Sequence, residues 1–445
     1  MTTRQVLNLL RSYESQNVTF IESDYSWPIV WEQAKGVHVW DADGKKYLDL
    51  TAAFGVAAAG HANPRIVKAG QKQMARLLHA MGDVHPHELK ARLARELSRT
   101  TFERWEGAKS KVQSPKSKVE RKANGGKTVF CNSGFEAVEA ALKTAMLATK
   151  KRGVIAFEGA YHGLGYGALN ATHRNHFTQF FQKQLGGFGH FGRFPTEEDK
   201  VASVEAQIRS LFKREEIGAV IVEPIQARGG INVPPKQFLP MLRRVCNEDR
   251  ALLIVDEIYT GFGRTGKWFA CEHTGVLPDV ICLGKALTGG FPLSACVGRA
   301  DLMDAAWPVS NGEAIHTSTF LGHPVGCAMA LAEIEEMRRL RLVERSGRLG
   351  EILLKLLQSK ISNSKFEISV RGVGLLIGVE VRRHNGAPAT EEALGLIKTM
   401  LHAGFILLPE GEHSNVISFT PPLTITEAQL KASVTALQKA LFALK

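Results

Sequence analysis

From about Gly125 to Leu283, short β-branched or apolar runs alternate with helical patterns, and this alternation limits the chain more than any other feature. Such runs are covered on both faces when helices separate them, which describes a largely parallel sheet between helical layers. The expected strands lie at 128–131, 153–157, 219–222, 251–255 and 280–283, with helices at 136–149 and 238–248. After residue 325 the pattern changes. A helix over about 326–340, another around 348–358, and strands at 373–380 and 416–419 predict a smaller α+β domain. Near the start, runs at 37–40 and 46–50 flank Asp41-Ala42-Asp43-Gly44, a hairpin that is expected to join this smaller domain. The expected division is therefore 1–55 as an N-terminal segment, 56–325 as the large domain and 326–445 as the small one.

The longest apolar stretch, around Ala52 to Gly60, falls far short of the roughly 20 residues that cross a bilayer, so no membrane partner is expected. MTTRQVLNLLRSYESQ lacks the apolar block and cleavage site of an export signal, and six cysteines without a CxxC pair fit a reducing cytoplasm. The unusual quantity is charge: 56 Lys+Arg against 44 Asp+Glu leave +12. Five of these charges fall between Glu106 and Lys127, where seven basic residues accompany two acids. That segment holds almost no large apolar residue and no aromatic residue on which a base stacks, so it predicts a solvated loop and no nucleic-acid partner.

Two glycine motifs fail on context. Gly261-Phe262-Gly263-Arg264-Thr265-Gly266 spells GxGxxG, but Asp256 to Thr260 separate it from the preceding strand and no clear helix follows. With Lys267 it approaches a phosphate-binding GxxxxGK, yet Trp268 replaces the hydroxyl that holds magnesium. His85-Pro86-His87 likewise lacks the ligand set of a metal hydrolase, and no metal site is expected.

In an open α/β sheet, ligands bind beyond the carboxyl ends of the strands. The residues just past those ends form a coherent set: Asn132-Ser133-Gly134-Phe135-Glu136, Tyr161-His162-Gly163, Glu223-Pro224-Ile225-Gln226, Asp256-Glu257 and Gly284-Lys285. Ser133, Gly134 and Phe135 open a helix and suit a phosphate dianion. Asp256 suits a protonated pyridinium nitrogen, Tyr161 suits stacking on a flat heterocycle, and Lys285 suits a Schiff base.

Taken in order, VWDADGKKYLDL, GHANP, CNSGFEAVEAAL, YHG, VEPIQARGG, IVDEIYTGFGRTG, LGKALTGGFPLSA and TSTFLGHP run from about residue 37 to 326, with LTITEAQL near the end. The set resembles the class III (ω-type) pyridoxal-phosphate-dependent aminotransferases of fold type I. The resemblance implies an α/β fold with a mostly parallel, seven-stranded-type sheet in the large domain. It also implies that Lys285 binds pyridoxal 5'-phosphate covalently, Asp256 pairs with the ring nitrogen, Tyr161 stacks on one ring face and Ile258 packs on the other. Gln226 is expected at the ring hydroxyl, and His162 and Glu223 belong to the same cofactor-binding set. Thr319 resembles the threonine that reaches the phosphate of a neighbouring subunit, which implies a homodimer with shared active sites.

The implied reaction is a two-stage, ping-pong transfer of an amino group from an amine or ω-amino donor to a keto acid of the pyruvate or 2-oxoglutarate type, with Lys285 moving the proton. Three departures bear on substrate. Phe135 stands where the family usually has threonine. Ser418 stands where members acting on ornithine, acetylornithine or γ-aminobutyrate usually have a carboxylate-clamping arginine, and Arg228 stands where those members place a glutamate. Arg228 either offers the positive charge from another wall or is a solvated loop residue. Trp27, Tyr25 and Phe54 either line an apolar part of the pocket or pack in the core. Aminomutase, racemase and decarboxylase chemistry use the same frame, and a nucleic-acid-binding protein on an inactive enzyme fold is the reading from a different class.

Overall fold

The computed structural model describes residues 1–110, 125–361 and 365–444. Its central element is a seven-stranded sheet. In chain order the strands are β1 (Gly126–Cys131), β2 (Gly153–Phe157), β3 (Gly189–Gly192), β4 (Ile217–Val222), β5 (Leu252–Asp256), β6 (Val280–Leu283) and β7 (Ser294–Arg299). They lie in the order β1-β7-β6-β5-β4-β2-β3. The pairings from β3 through β6 are parallel, whereas β7 runs antiparallel to both β1 and β6. Every residue of β2, β4 and β6 is buried, which explains why these strands read as unbroken apolar runs.

Helices cover both faces. Helix α1 (Gly134–Thr149) turns Ala137, Val138, Ala140, Ala141 and Ala145 toward the sheet, and these small side chains let it lie close to Ile254, Val280 and Cys282. Helix α2 (Phe238–Glu248) buries Phe238, Leu239, Leu242 and Val245 on the other side, with Phe238 packed edge-on to Phe157 at 5.1 Å between ring centroids. The carboxyl ends of β1, β2, β4, β5 and β6 thus share one edge, and antiparallel β7 begins there with Ser294 opposite Cys131.

Two smaller sheets complete the fold. The predicted hairpin is present as His38–Asp41 and Lys46–Asp49, extended by Trp31–Lys35 on one side and by Phe405–Ile406, parallel to Lys46–Asp49, on the other. This pairing ties the N-terminal segment to the C-terminal region. The other sheet joins Phe366–Val373, Leu376–Arg383, Val416–Phe419 and Leu408–Glu410, all antiparallel.

Some expectations need correction. Strands β3 and β7 were not foreseen. Strand β3 is a short edge strand with two glycines, and β7 begins on a polar serine, so neither carries a long apolar run. The C-terminal helices are longer than their apolar patterns suggested, at Pro324–Arg339 and Leu342–Lys360. The predicted loop over 106–127 is shortened at both ends by helix Phe102–Ser110 and by β1; residues 111–124 lie outside the described residues. All six cysteines are buried and free, and no helix among the described residues is long and apolar enough to cross a membrane.

The GxGxxG segment has a structural role. Gly263 and Gly266 take φ of +81° and +86°, and the chain then enters a short 3-10 turn at Ala270–His273 instead of the α-helix that a dinucleotide site requires. Between the two glycines Arg264, 2% exposed, donates from Nη1 to the carbonyls of Leu375 at 3.0 Å and Pro421 at 2.5 Å, while Ser346 Oγ donates to the Arg264 carbonyl at 2.9 Å. Replacing Arg264 by Met strips two buried carbonyls of a donor, each worth about 1–3 kcal/mol when left unsatisfied. The urea unfolding midpoint of Arg264→Met is therefore expected to fall clearly, and an unchanged midpoint contradicts this role.

Candidate active site

A cavity of about 410 Å³ opens at the carboxyl edge of the central sheet. Lys285, Asp256, Glu223, Tyr161, His162, Gly134, Phe135, Ile258 and Arg228 all line it. Lys285 comes just after β6 and has φ of +43°, a left-handed conformation rare for a residue with a side chain. Its Nζ stands 4.6 Å from the ring centroid of Tyr259. Burial pushes the Lys285 ammonium below the ordinary lysine range, against the opposing pull of the Asp256 and Glu223 carboxylates.

Asp256 ends β5 and is 4% exposed. Its Oδ2 lies 2.8 Å from His162 Nδ1, and its Oδ1 accepts from the Ile258 amide at 3.1 Å. This contact assigns a proton to His162 Nδ1. His162 Nε2 is buried with no hydrogen-bond partner among the described residues. Glu223, just past β4, accepts from the amides of Tyr161 at 3.0 Å and Ala227 at 3.2 Å. Burial raises its carboxyl to about 7, although His162 favours the charged form.

The N-terminus of α1 closes another part of the wall. Ser133 precedes it with an extended backbone and caps no amide, its Oγ is buried without a partner among the described residues, and its carbonyl accepts from Ser294 Oγ at 2.6 Å. A Cβ on Gly134 would stand 3.1 Å from Ile258 Cγ2, and one on Gly163, at φ +115°, would collide with Phe135 Cβ. First-turn amides lack intrahelical partners, so this end of the cavity offers amides and a free hydroxyl to an anion. The whole arrangement, with the Asp256 and Glu223 carboxylates, one buried amine, an aromatic wall and an anion-binding helix start, suits a flat heteroaromatic cation with an anionic tail.

Several expected residues lie elsewhere. Gln226 does not line the cavity: its Nε2 donates to the Glu158 carbonyl at 2.8 Å and its Oε1 accepts from Asn232 at 3.1 Å, so both ends of the amide serve the loop. Trp27 packs with Val39 and Tyr47 in a core cluster, and the Tyr25 hydroxyl donates to Asn8 at 2.6 Å under the Arg11 guanidinium. Within the chain neither reaches the cavity. Thr319 is exposed in a turn outside it. Phe54 is not in the wall but lies beside it, 6.0 Å from the Arg228 guanidinium. Ser418 is buried in the strand next to Leu408–Glu410. Gly163, part of the strand-end set, lines the cavity, and Tyr259, Thr260 and Leu164 line it unforeseen; Tyr259 and Thr260 come closely enough after Asp256 that the strand-end argument covers them.

The profile of the class-III aminotransferases matches residues 20–441. The chain is 34% identical to the 5-aminovalerate aminotransferase DavT of Pseudomonas aeruginosa over 425 residues, covering 92% of each chain. It is 35% identical to the putrescine aminotransferase of Pectobacterium atrosepticum over 443 residues, covering 96% of this chain and 86% of that one. Among solved structures, a transaminase from the marine bacterium Virgibacillus superimposes with a TM-score of 0.86 at 25% identity, over 99% of this chain and 98% of that one. The ornithine aminotransferase of Toxoplasma gondii, described with partial occupancy of PLP at its active site, gives 0.80 at 28% identity, over 100% of this chain and 95% of that one.

The electrostatics of Lys285 are directly measurable. In the cofactor-free protein, NMR titration of isotopically methylated Lys285 is expected to show a midpoint below the ordinary lysine value of about 10.4. Asp256→Asn removes the charge that holds the ammonium up and is expected to lower the midpoint further. A midpoint at or above the ordinary value, or a rise in Asp256→Asn, contradicts the assignment.

Proposed function

The chain belongs to the class III aminotransferases, and on that premise we propose that it moves an amino group from an amine or ω-amino donor to a keto acid, with pyridoxal phosphate held at the strand ends. The observation that carries this reading is the convergence of Lys285, the His162-bound Asp256 and the start of α1 on one cavity. Two buried polar atoms without partners among the described residues, Ser133 Oγ and His162 Nε2, fit a site whose ligand supplies the missing contacts.

When bound, the cofactor supplies an electron sink for negative charge at the donor carbon. The chain supplies the rest. Burial favours the neutral form of the Lys285 amine, so that Nζ would hold the cofactor and would accept and then return the proton that moves during the transfer. Asp256, oriented by His162 Nδ1 and the Ile258 amide, is the partner for a protonated ring nitrogen. Tyr161 and Ile258, both in the cavity wall, would hold the ring. Ser133 and the first amides of α1, those of Gly134 and Phe135, hold the phosphate, and Phe135 offers no hydroxyl there. Glu223 fixes the Tyr161 loop through its backbone amide.

Arg228 is the proposed clamp for the acceptor carboxylate, since it is an arginine in the cavity wall. Phe54 lies beside that wall, 6.0 Å from the guanidinium. Thr319, exposed in its own chain, is proposed to reach the phosphate of a second copy in a homodimer with shared sites. Residues 1–55 and 326–445 form the smaller unit beside 56–325, consistent with the pairing of Lys46–Asp49 with Phe405–Ile406. Six buried, unbridged cysteines support a cytoplasmic setting.

Initial rates over a grid of amine and keto acid concentrations are expected to give parallel double-reciprocal lines, the ping-pong pattern. Lys285→Ala is expected to lose at least about 10²-fold in turnover; retained turnover removes Lys285 from its role. Arg228→Ala is expected to raise the Michaelis constant for the keto acid about 10-fold or more, the size of a charge-assisted contact, and an unchanged constant removes the clamp.

A further inference from the structure

Arg228 does not stand free in the wall. Its Nη1 lies 3.1 Å from Glu410 Oε2, with the Glu410 side chain 1% exposed and that of Arg228 29% exposed. The contact is built into the backbone, because the Gly411 amide donates to the Arg228 carbonyl at 3.1 Å and fixes the loop against the end of strand Leu408–Glu410. The guanidinium also lies 5.8 Å from the Tyr161 ring centroid, so it is flanked by that ring and by Phe54.

A ping-pong enzyme must admit two unlike molecules to one cavity in turn. An amine with an apolar tail would place hydrocarbon against Arg228, and a guanidinium shielded from solvent there without a counter-ion is disfavoured. A keto acid instead brings its own carboxylate, to which a guanidinium binds in bidentate fashion. We propose that Glu410 is an internal stand-in for the substrate carboxylate: it neutralises Arg228 while an uncharged amine tail occupies the cavity and yields the guanidinium when the acceptor's carboxylate arrives. This rests on the reading of Arg228 as the acceptor clamp.

The charge that this exchange leaves behind has an outlet. Glu410 faces Arg228, Lys285, Arg174, Tyr161 and Tyr259, and burial raises its carboxyl to about 7, held down chiefly by Arg228. When Arg228 turns to the substrate, Glu410 takes up a proton supplied by hydronium or buffer acid in the solvent, and no unpaired buried carboxylate remains. The arrangement also selects among donors. A diamine would bring a second ammonium toward Arg228, whose charge Glu410 only balances, so a monoamine with an uncharged tail is the preferred class.

The test is Glu410→Gln in the cofactor-loaded enzyme. The Michaelis constant for pyruvate is expected to fall several-fold, because the competing carboxylate is gone. In the same variant kcat/KM for pentylamine is expected to fall several-fold, because Arg228 is then unneutralised. Opposite signs separate this role from a structural one, which would worsen both. Valerate, a carboxylate without an amine, provides a reading independent of turnover: by calorimetry it is expected to bind several-fold tighter to Glu410→Gln and several-fold weaker to Arg228→Ala. Glu410→Asp, which keeps the charge but withdraws it, is expected to move in the same direction by less. Changes of equal sign for both substrates, or valerate affinity unmoved by Glu410→Gln, overturn the proposal. If the wild type turns over no amine, the aminotransferase reading fails while the valerate titration still decides the stand-in.

Discussion

Desolvation at the carboxyl edge of the central sheet is the constraint on which the other features of the site depend. Strands β4 and β6 are buried throughout and β5 nearly so, and each delivers an ionisable residue, Glu223, Lys285 and Asp256, to the point where the chain leaves the core. A charge in that position needs a partner or gives up its proton. Asp256 is partnered by His162; Glu223 takes two amides and still has its carboxyl raised; Lys285 loses part of its hold on the proton. The same burial that would be a liability in a purely structural sheet makes one amine nucleophilic beside one fixed carboxylate.

Left-handed backbone also occurs next to these groups. Ala52, Ala53 and Phe54 have φ of +47°, +49° and +60°, and Lys285 adds +43°. Left-handed backbone costs a side-chain-bearing residue roughly 1–2 kcal/mol, so the turn needs external support. Asp49 provides it, accepting from the Thr51 amide and hydroxyl at 2.8 and 2.6 Å and from the Ala53 amide at 3.2 Å, with His61 Nε2 at 2.7 Å. The Thr51 carbonyl in turn accepts from Thr420 Oγ1 at 3.2 Å, and the Tyr259 hydroxyl lies 3.4 Å from that oxygen. A continuous polar chain therefore links the turn that bears Phe54 to the ring beside Lys285.

The parallel strands were legible because each is an apolar run ended by a polar residue, and the helices between them were legible by their period. The same strand-end logic located Lys285, Asp256, Tyr161 and the start of α1. It failed where position depends on what a side chain finds locally. Gln226 comes after a strand end as the others do, but Asn232 and the Glu158 carbonyl occupy its amide. Tyr25 and Trp27 are aromatic and near the N-terminus, yet Asn8 and a local core cluster hold them. Glu410 was invisible for another reason: 182 positions separate it from Arg228, and nothing in a short strand of three residues announces a buried carboxylate.

That pair changes how the missing arginine at position 418 is understood. Leu408–Glu410 and Val416–Phe419 are antiparallel neighbours, with Leu408 opposite Ser418 and Glu410 opposite Val416. The described structure thus carries its carboxylate on this sheet and its guanidinium on the loop after β4, where the resembling enzymes are expected to have the opposite signs. With 29% of the Arg228 side chain exposed and only 1% of that of Glu410, the carboxylate is the half that depends on the pair, and it takes up a proton when the guanidinium turns away. Arg228 and Glu410 are consequently one unit, and Ser418, buried on the strand beside Leu408–Glu410, adds no charge to it.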